Sequence, residues 1–267
     1  MELFEYFPFK KGLSFVQQLR PKSLKSISLK IIMKRHRFFV QEKITGKNFL
    51  LVDRETVNQI KNVLRCRAGE TIALFSGDGR EAICEITDVG KEAIAGRVIN
   101  VINWPEKKTR VELFSSLLKK ENFELVVEKA TEVGIDRIIP VIARRTVKLN
   151  YKKDRLLKII KEASEQSGRM ILPELAEPLD FQAALEAAAA NDLNYFFDLS
   201  AEEGPASQPA DIGSIGIFIG PEGGWDETEI KAVRERKNFV FKKIGRLTLR
   251  AETAAIIASY LAANQHA

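Results

Sequence analysis

Two short segments of this 267-residue chain carry residue types at spacings that could do chemistry. "IGPEGGWDE", from Ile219, leaves an apolar run through Gly220, Pro221, Glu222, Gly223 and Gly224 and enters an acidic helix start. "KIGRLTLRAETA", from Lys243, brings Ile244, Gly245, Arg246, Leu247, Leu249, Arg250, Glu252 and Thr253 to the entrance of an apolar helix. The first segment is not a phosphate cradle. It lacks the G-K-[ST] ending and the G-x-G-x-x-G spacing, and the Glu222 carboxylate would repel a pyrophosphate from the loop amides. Glycines that admit close approach, beside an acid, suit a neutral or cationic ligand. A structural account stays open, in which Pro221, Gly223 and Gly224 only turn the chain and Asp226 caps the next helix. An arginine at the start of an apolar helix calls for a partner or a ligand. For Arg250 and Glu252 a structural ion pair is the competing account.

The elements that must position these loops alternate. "VELFSSLL", "IDRIIPVIA", "NYFFDLS", "SIGIFIG" and "FVFKKIG" are strand-like. Between and after them lie helical stretches such as "NFELVVEKATEVG", with Gly134 as its stop, and "KKDRLLKIIKEASEQSG", ending at Gly168. "AALEAAAA", "DETEIKAVRERK" and "AETAAIIASYLAAN" complete the helices. Such alternation predicts a parallel sheet covered by helices, with ligands beyond the carboxyl ends of its strands. "AEEGPASQPADIG", rich in Pro and Gly, reads as a surface loop.

Residues 33–102 read differently. Short β-rich runs, a hairpin at Gly77-Asp78-Gly79 and one helix capped by Asp53 predict a small β-barrel. Residues 103–109 read as a linker and 110–267 as the α/β domain. Residues 1–32 form an unpatterned extension before Met33, expected to be dispensable. In "KRHRFF", basic residues beside aromatics, among them Arg35 and Arg37, suit contact with single-stranded RNA or phosphate, and Arg169 in "RMILP" is a further RNA or interface candidate. An ordinary first strand with Phe38 or Phe39 in the core is the competing reading.

Scarcity excludes several chemistries. Two cysteines and two histidines leave almost nothing for a triad, a Cys-His pair or a metal site, so no metal is expected. A reducing cytoplasm is the default compartment. No apolar run is long enough for a membrane span. The net charge of +6 is compatible with a nucleic-acid partner without requiring one.

The ordered set "RHRFFV", "ELVVEKATEVGIDRIIPVIARRTV", "EASEQSGRMILPE", "IGPEGGWDETEI" and "KIGRLTLRAETA" resembles the RsmE family of SPOUT methyltransferases, from Met33 to the C-terminus. The resemblance implies an α/β fold: a C-terminal SPOUT-type parallel sheet with a deep trefoil knot, preceded by a PUA-like β-barrel. It implies S-adenosylmethionine-dependent methylation of N3 of a uridine in small-subunit ribosomal RNA, within an assembled particle, by a homodimer. Carried over by position, the cofactor contacts are Leu199, Gly220, Pro221, Glu222, Gly223, Gly224, Ile244, Gly245, Leu247, Leu249 and Thr253. Arg250 would stabilise a uracil anion, and Glu252 would either orient Arg250 or act as a weak base. Thr253 has a competing structural role in closing the helix N-terminus. Arg246 is an RNA candidate, but this chain reads Arg246-Leu247 where relatives commonly carry Pro-Arg, so that contact is displaced by one residue. Another SPOUT activity, on a ribose 2′-oxygen or a guanine, and a non-catalytic RNA-binding protein are the alternatives.

Overall fold

The computed structural model describes residues 35–147, 151–199 and 212–265. The extension at residues 1–32, Met33 and most of the "AEEGPASQPADIG" loop lie outside the described residues.

The N-terminal elements form a five-stranded sheet: β1 (Arg37–Phe39), β2 (Asn48–Leu51), β3 (Thr71–Phe75), β4 (Arg80–Val89) and β5 (Ile94–Asn103). Its order is β1-β3-β4-β5-β2, antiparallel except for the β1–β3 pair. The β3–β4 hairpin turns where expected, with Gly77 and Gly79 at φ 80° and the Asp78 carboxylate accepting from the Arg80 N–H. Helix α1 (Arg54–Asn58) starts on Asp53, whose side chain accepts from the Thr56 N–H, and continues into a π-helical turn, Gln59–Val63. Phe38, Ile60, Ile72, Leu74 and Ile86 fill the sheet's core, while Phe39 is half-buried.

After β5 the chain enters a second sheet, parallel throughout. Strands β6 (Arg110–Ser116), β7 (Arg137–Ile142), β8 (Glu174–Leu175), β9 (Leu179–Asp180), β10 (Leu193–Phe197), β11 (Ser214–Ile219) and β12 (Phe239–Lys242) run in the order β12-β10-β11-β6-β7-β8, with β9 also on β7. Adjacent strand residues serve opposite faces. Leu113 and Ile217 pack beneath α2 (Lys120–Val133), α3 (Lys153–Ser167) and α6 (Ala251–Gln265). Phe114 and Phe218 stack at 4.4 Å on the other face, under α4 (Phe181–Ala187) and α5 (Glu227–Arg234). Gly134 at φ 99° and Gly168 at φ 78° end α2 and α3 in the left-handed conformation that the sequence predicted.

The barrel and the α/β layers meet directly. The Phe39 N–H donates to the Glu165 carboxylate of α3 at 2.9 Å. Arg37 binds Glu81 at 2.8 Å, and its guanidinium lies close to Gly168, where a Cβ would come within 3.2 Å of Cζ. Lys107 Nζ, in the segment expected to be a linker, donates to Asp136 at 2.6 Å and to the Gly134 carbonyl.

Candidate functional site

Sheet order decides where a site forms. The chain runs outward from β6 through β7 on one side and returns through β10, β11 and β12 on the other, placing a switch point between β6 and β11. Beyond the carboxyl ends of β6, β10, β11 and β12 lies a cleft of about 920 Å³, near the top of the roughly 300–1,000 Å³ range of small-molecule sites. Each of the four strands sends its following loop into the wall.

From β11 come Gly220, Pro221, Glu222, Gly224 and Trp225. A Cβ at Gly220 would crowd its neighbour, lying 3.1 Å from the Trp225 ring. Trp225 is buried, stacks on Phe196 at 4.7 Å, and donates from Nε1 to the Phe197 carbonyl at 3.0 Å. That bond ties the end of β10 to the β11 loop. Sequence reasoning passed over Trp225. The available signal was an aromatic directly after a glycine pair in a chain with two tryptophans.

Glu222 does not face the cleft's contents alone. Its Oε1 accepts from the Lys119 N–H at 3.2 Å, where α2 begins with no side-chain cap of its own. A carboxylate there is favoured by the positive end of the helix dipole. The loop thus uses this side chain to hold α2, leaving its backbone to the cleft. At the loop's far end Asp226 caps α5, with Glu229 completing a capping box. Hydrogen bonds from Thr228 and then Arg144 hold the Asp226 carboxyl down to about 2. The structural account of Asp226 is therefore correct.

Gly223 departs from expectation. It turns away from the cleft, its carbonyl accepting from Arg145 Nη1 at 3.2 Å, and a Cβ would meet the Arg145 side chain at 3.5 Å. The positive φ belongs to Gly224, at 70°, whose N–H closes a turn onto the Pro221 carbonyl at 2.9 Å. Gly224→Val should fold, since nothing lies within 4 Å of its Cβ. It should lose about tenfold in cofactor affinity by calorimetry, the scale of strain at a β-branched residue forced to positive φ. Gly223→Val should lose less.

The β12 loop supplies Ile244, Gly245, Arg246, Leu247, Leu249, Arg250 and Glu252 to the same cleft, and Leu199 joins them from β10. Thr253 does not line it, and the first hydrogen bond of α6 runs from the Ala254 N–H to the Arg250 carbonyl. The Arg250 side chain is 86% exposed, and its Nη1 lies 4.0 Å from Glu252 Oε1. Glu252 is buried, and its Oε2 has no hydrogen-bond partner among the described residues. Lys119, Lys242, Lys243, Arg246 and Arg250 give the walls a positive balance over Asp198, Glu222 and Glu252.

The other expected RNA contacts fare differently. Arg169 is turned inward: Nε donates to the Ile171 carbonyl, Nη1 to the Thr131 carbonyl at 3.1 Å, and Nη2 lies 3.6 Å from Asp136. Burial pushes its pKa down to about 10. It braces the α2 and α3 ends and is not a surface RNA contact. Arg37 is likewise taken up by Glu81, and Arg35 is half-buried at the start of the described residues. Among the described residues no cluster could hold a metal ion, and no helix is long and apolar enough to cross a membrane.

Comparison with known proteins agrees with this geometry. A family model described as an RNA methyltransferase domain matches residues 105–263, and one described as an RNA methyltransferase PUA domain matches residues 52–99. The ribosomal RNA small subunit methyltransferase E of Bacillus subtilis is 34% identical, over 76% of this chain and 85% of that protein. The protein of the same name from Rickettsia conorii is 30% identical, over 85% of this chain and 94% of its own length. Among solved structures, a Legionella pneumophila methyltransferase in complex with S-adenosylmethionine superposes with a TM-score of 0.76 at 29% identity, covering 86% of this chain and 98% of that one. A Neisseria gonorrhoeae ribosomal RNA small subunit methyltransferase E bound to the same cofactor superposes at 0.73 with 27% identity, covering 85% and 95%.

Proposed function

The chain belongs to the ribosomal RNA small subunit methyltransferase E family, and from that premise we propose that it methylates N3 of a uridine in small-subunit ribosomal RNA, using S-adenosylmethionine. The observation that carries this reading is the convergence of four strand-end loops on one cleft, with glycine backbone on one wall and Arg250 and Glu252 on another.

The donor fits these residues. The main-chain groups of Gly220, Pro221, Glu222 and Gly224 and of Ile244–Leu249 offer edges for an adenine and a ribose, and Trp225 and Ile219 offer apolar surface. When bound, it supplies a methyl group made electrophilic by its sulfonium. The protein's part is to hold the base in line with that methyl, to exclude water, and to stabilise charge on the uracil. Arg250 is free to donate to a uracil oxygen or a flanking phosphate, because no hydrogen bond occupies its guanidinium among the described residues. Lys243 and Arg246 extend the positive wall toward a nucleic-acid backbone.

A homodimer belongs to the same reading. Helix α6 is apolar on most sides. Its inner residues Ala255, Ala258 and Ala262 pack on the sheet, while Ile256, Ile257 and Leu261 are half-covered and Tyr260 is 56% exposed. A second copy would cover that face. A deep knot through the β11 and β12 loops, an assembled particle as substrate and a cytoplasmic setting complete the proposal.

Nucleoside analysis of treated small subunits tests it. We expect 3-methyluridine as the product, with RNA binding that weakens as salt rises. Finding 2′-O-methyl nucleosides or methylguanine in its place would move the protein to another SPOUT activity.

A further inference from the structure

The protein leaves the Glu252 carboxylate short of hydrogen bonds. The residue is 7% exposed, it lines the cleft, and its Oε2 is enclosed without a partner among the described residues. Among the described residues Oε1 has only a 4.0 Å approach from Arg250, beyond hydrogen-bond reach, and that arginine is almost wholly exposed. Buried carboxylates are otherwise paired or supplied with donors. A loose contact with a solvated guanidinium compensates little of that desolvation. An ion pair built to orient Arg250 would be short and bidentate. This one is neither.

Position adds a second argument. Glu252 lies in the first turn of α6, whose start lines the cleft together with Lys119 and Asn122 at the start of α2. Helix N-termini favour negative charge, which suits a carboxylate side chain at this position. The other charged groups on the cleft are Lys119 before α2, Asp198 after β10, Glu222 after β11, and Lys242, Lys243 and Arg246 after β12. Of these carboxylates, Glu222 is taken up by the Lys119 N–H, and Asp198 lies at the β10 end with its N–H on the Lys242 carbonyl.

Resting on the methyltransferase reading above, we propose that Glu252 is the group that receives the N3 proton of the target uridine. The uracil imide carries one N–H between two carbonyl oxygens, and a carboxylate in want of a donor is its complement. As the N3–C bond to the methyl forms, the N3–H bond breaks toward a Glu252 oxygen. The electron pair of the former S–C bond stays on sulfur, leaving S-adenosylhomocysteine, and the proton later passes to water. Rotation about the last side-chain torsion presents either oxygen. Arg250, on the solvent side, stabilises the charge that develops on a uracil oxygen, a separate task.

The test is a pH–rate profile of Glu252→Gln beside wild type, on small subunits, with calorimetric titration of S-adenosylmethionine and melting curves. Turnover at neutral pH should fall by about 10²-fold or more, the scale of losing a general base. Cofactor affinity should stay within a few-fold. The deficit should shrink as pH rises, because an already ionised uracil needs no acceptor. Glu252→Asp, which keeps a carboxylate, should recover part of the rate and the wild-type profile.

Three results would overturn the assignment: an unchanged rate, a cofactor-affinity loss large enough to explain the rate, or a pH-independent deficit that Arg250→Ala does not deepen. The last would mean that Glu252 acts through Arg250. Wild-type protein that forms no 3-methyluridine would instead remove the functional reading itself.

Discussion

Replacing Arg250 with alanine should lower turnover by about 10²–10³-fold, the scale of deleting a preorganised donor to developing charge. Cofactor affinity and melting temperature should barely change. The side chain is 86% exposed and its nearest carboxylate is 4.0 Å away, so the fold does not depend on it. In the open cleft a solvated guanidinium is worth little. Once a base and the cofactor displace water, the effective dielectric falls and the same charge acts more strongly. The loss should therefore appear in the chemical step, measured under single turnover with saturating cofactor. Arg250→Lys should recover only part of it, because a point charge lacks the planar fork. A loss confined to cofactor binding or to stability would make Arg250 structural.

Trp225→Ala should be the more damaging change to the site as a whole. The indole is buried, stacked on Phe196 at 4.7 Å and packed by Phe181 at 5.3 Å, and its Nε1 holds the Phe197 carbonyl. Truncation should cost roughly 3–5 kcal/mol of stability, as for other buried large aromatics. It also removes the surface against which Gly220 is seated and the bond joining the β10 and β11 loops. Cofactor affinity should drop by well over tenfold. Trp225→Phe keeps the stack and loses the hydrogen bond, so its stability loss should be near 1 kcal/mol, with an intermediate affinity. Calorimetry on the folded variants checks this. Wild-type affinity in Trp225→Ala would remove the indole from the cofactor wall.

Much of the site was legible because its signals are local. Gly134 and Gly168 end helices through their own φ. Asp53 and Asp226 cap through side chains that reach two or three residues along the chain. The two loops stood out because each follows a strand and precedes a helix, and a parallel sheet places such loops together. Gly223 and Gly224 could not be told apart by sequence. Both are glycine, and only the turn closed by the Pro221 carbonyl shows which one carries the positive φ.

Long-range partners were not legible. Glu222 meets Lys119 across 103 positions, and Arg169 meets Thr131 across 38. Arg169 read as a surface cation because nothing beside it in sequence announces burial. Beyond the nearby Ile171 carbonyl, its partners Thr131 and Asp136 come from the α2 end and the turn before β7. Arg37 was drawn inward for the same reason, by Glu81 of a strand it does not neighbour in sequence.

By itself, then, the sequence determined the alternation of strands and helices, their stops and caps, and the two strand-to-helix segments whose residues line the cleft. Each depends on backbone preference or hydrophobic period within a few residues. The tertiary structure alone decided which strands stand side by side. It thereby set which loops share the cleft, and that, among the described residues, Glu252 Oε2 is enclosed without a donor while Arg250 is exposed. Burial and pairing are properties of neighbours in space, and those neighbours come from distant parts of the chain.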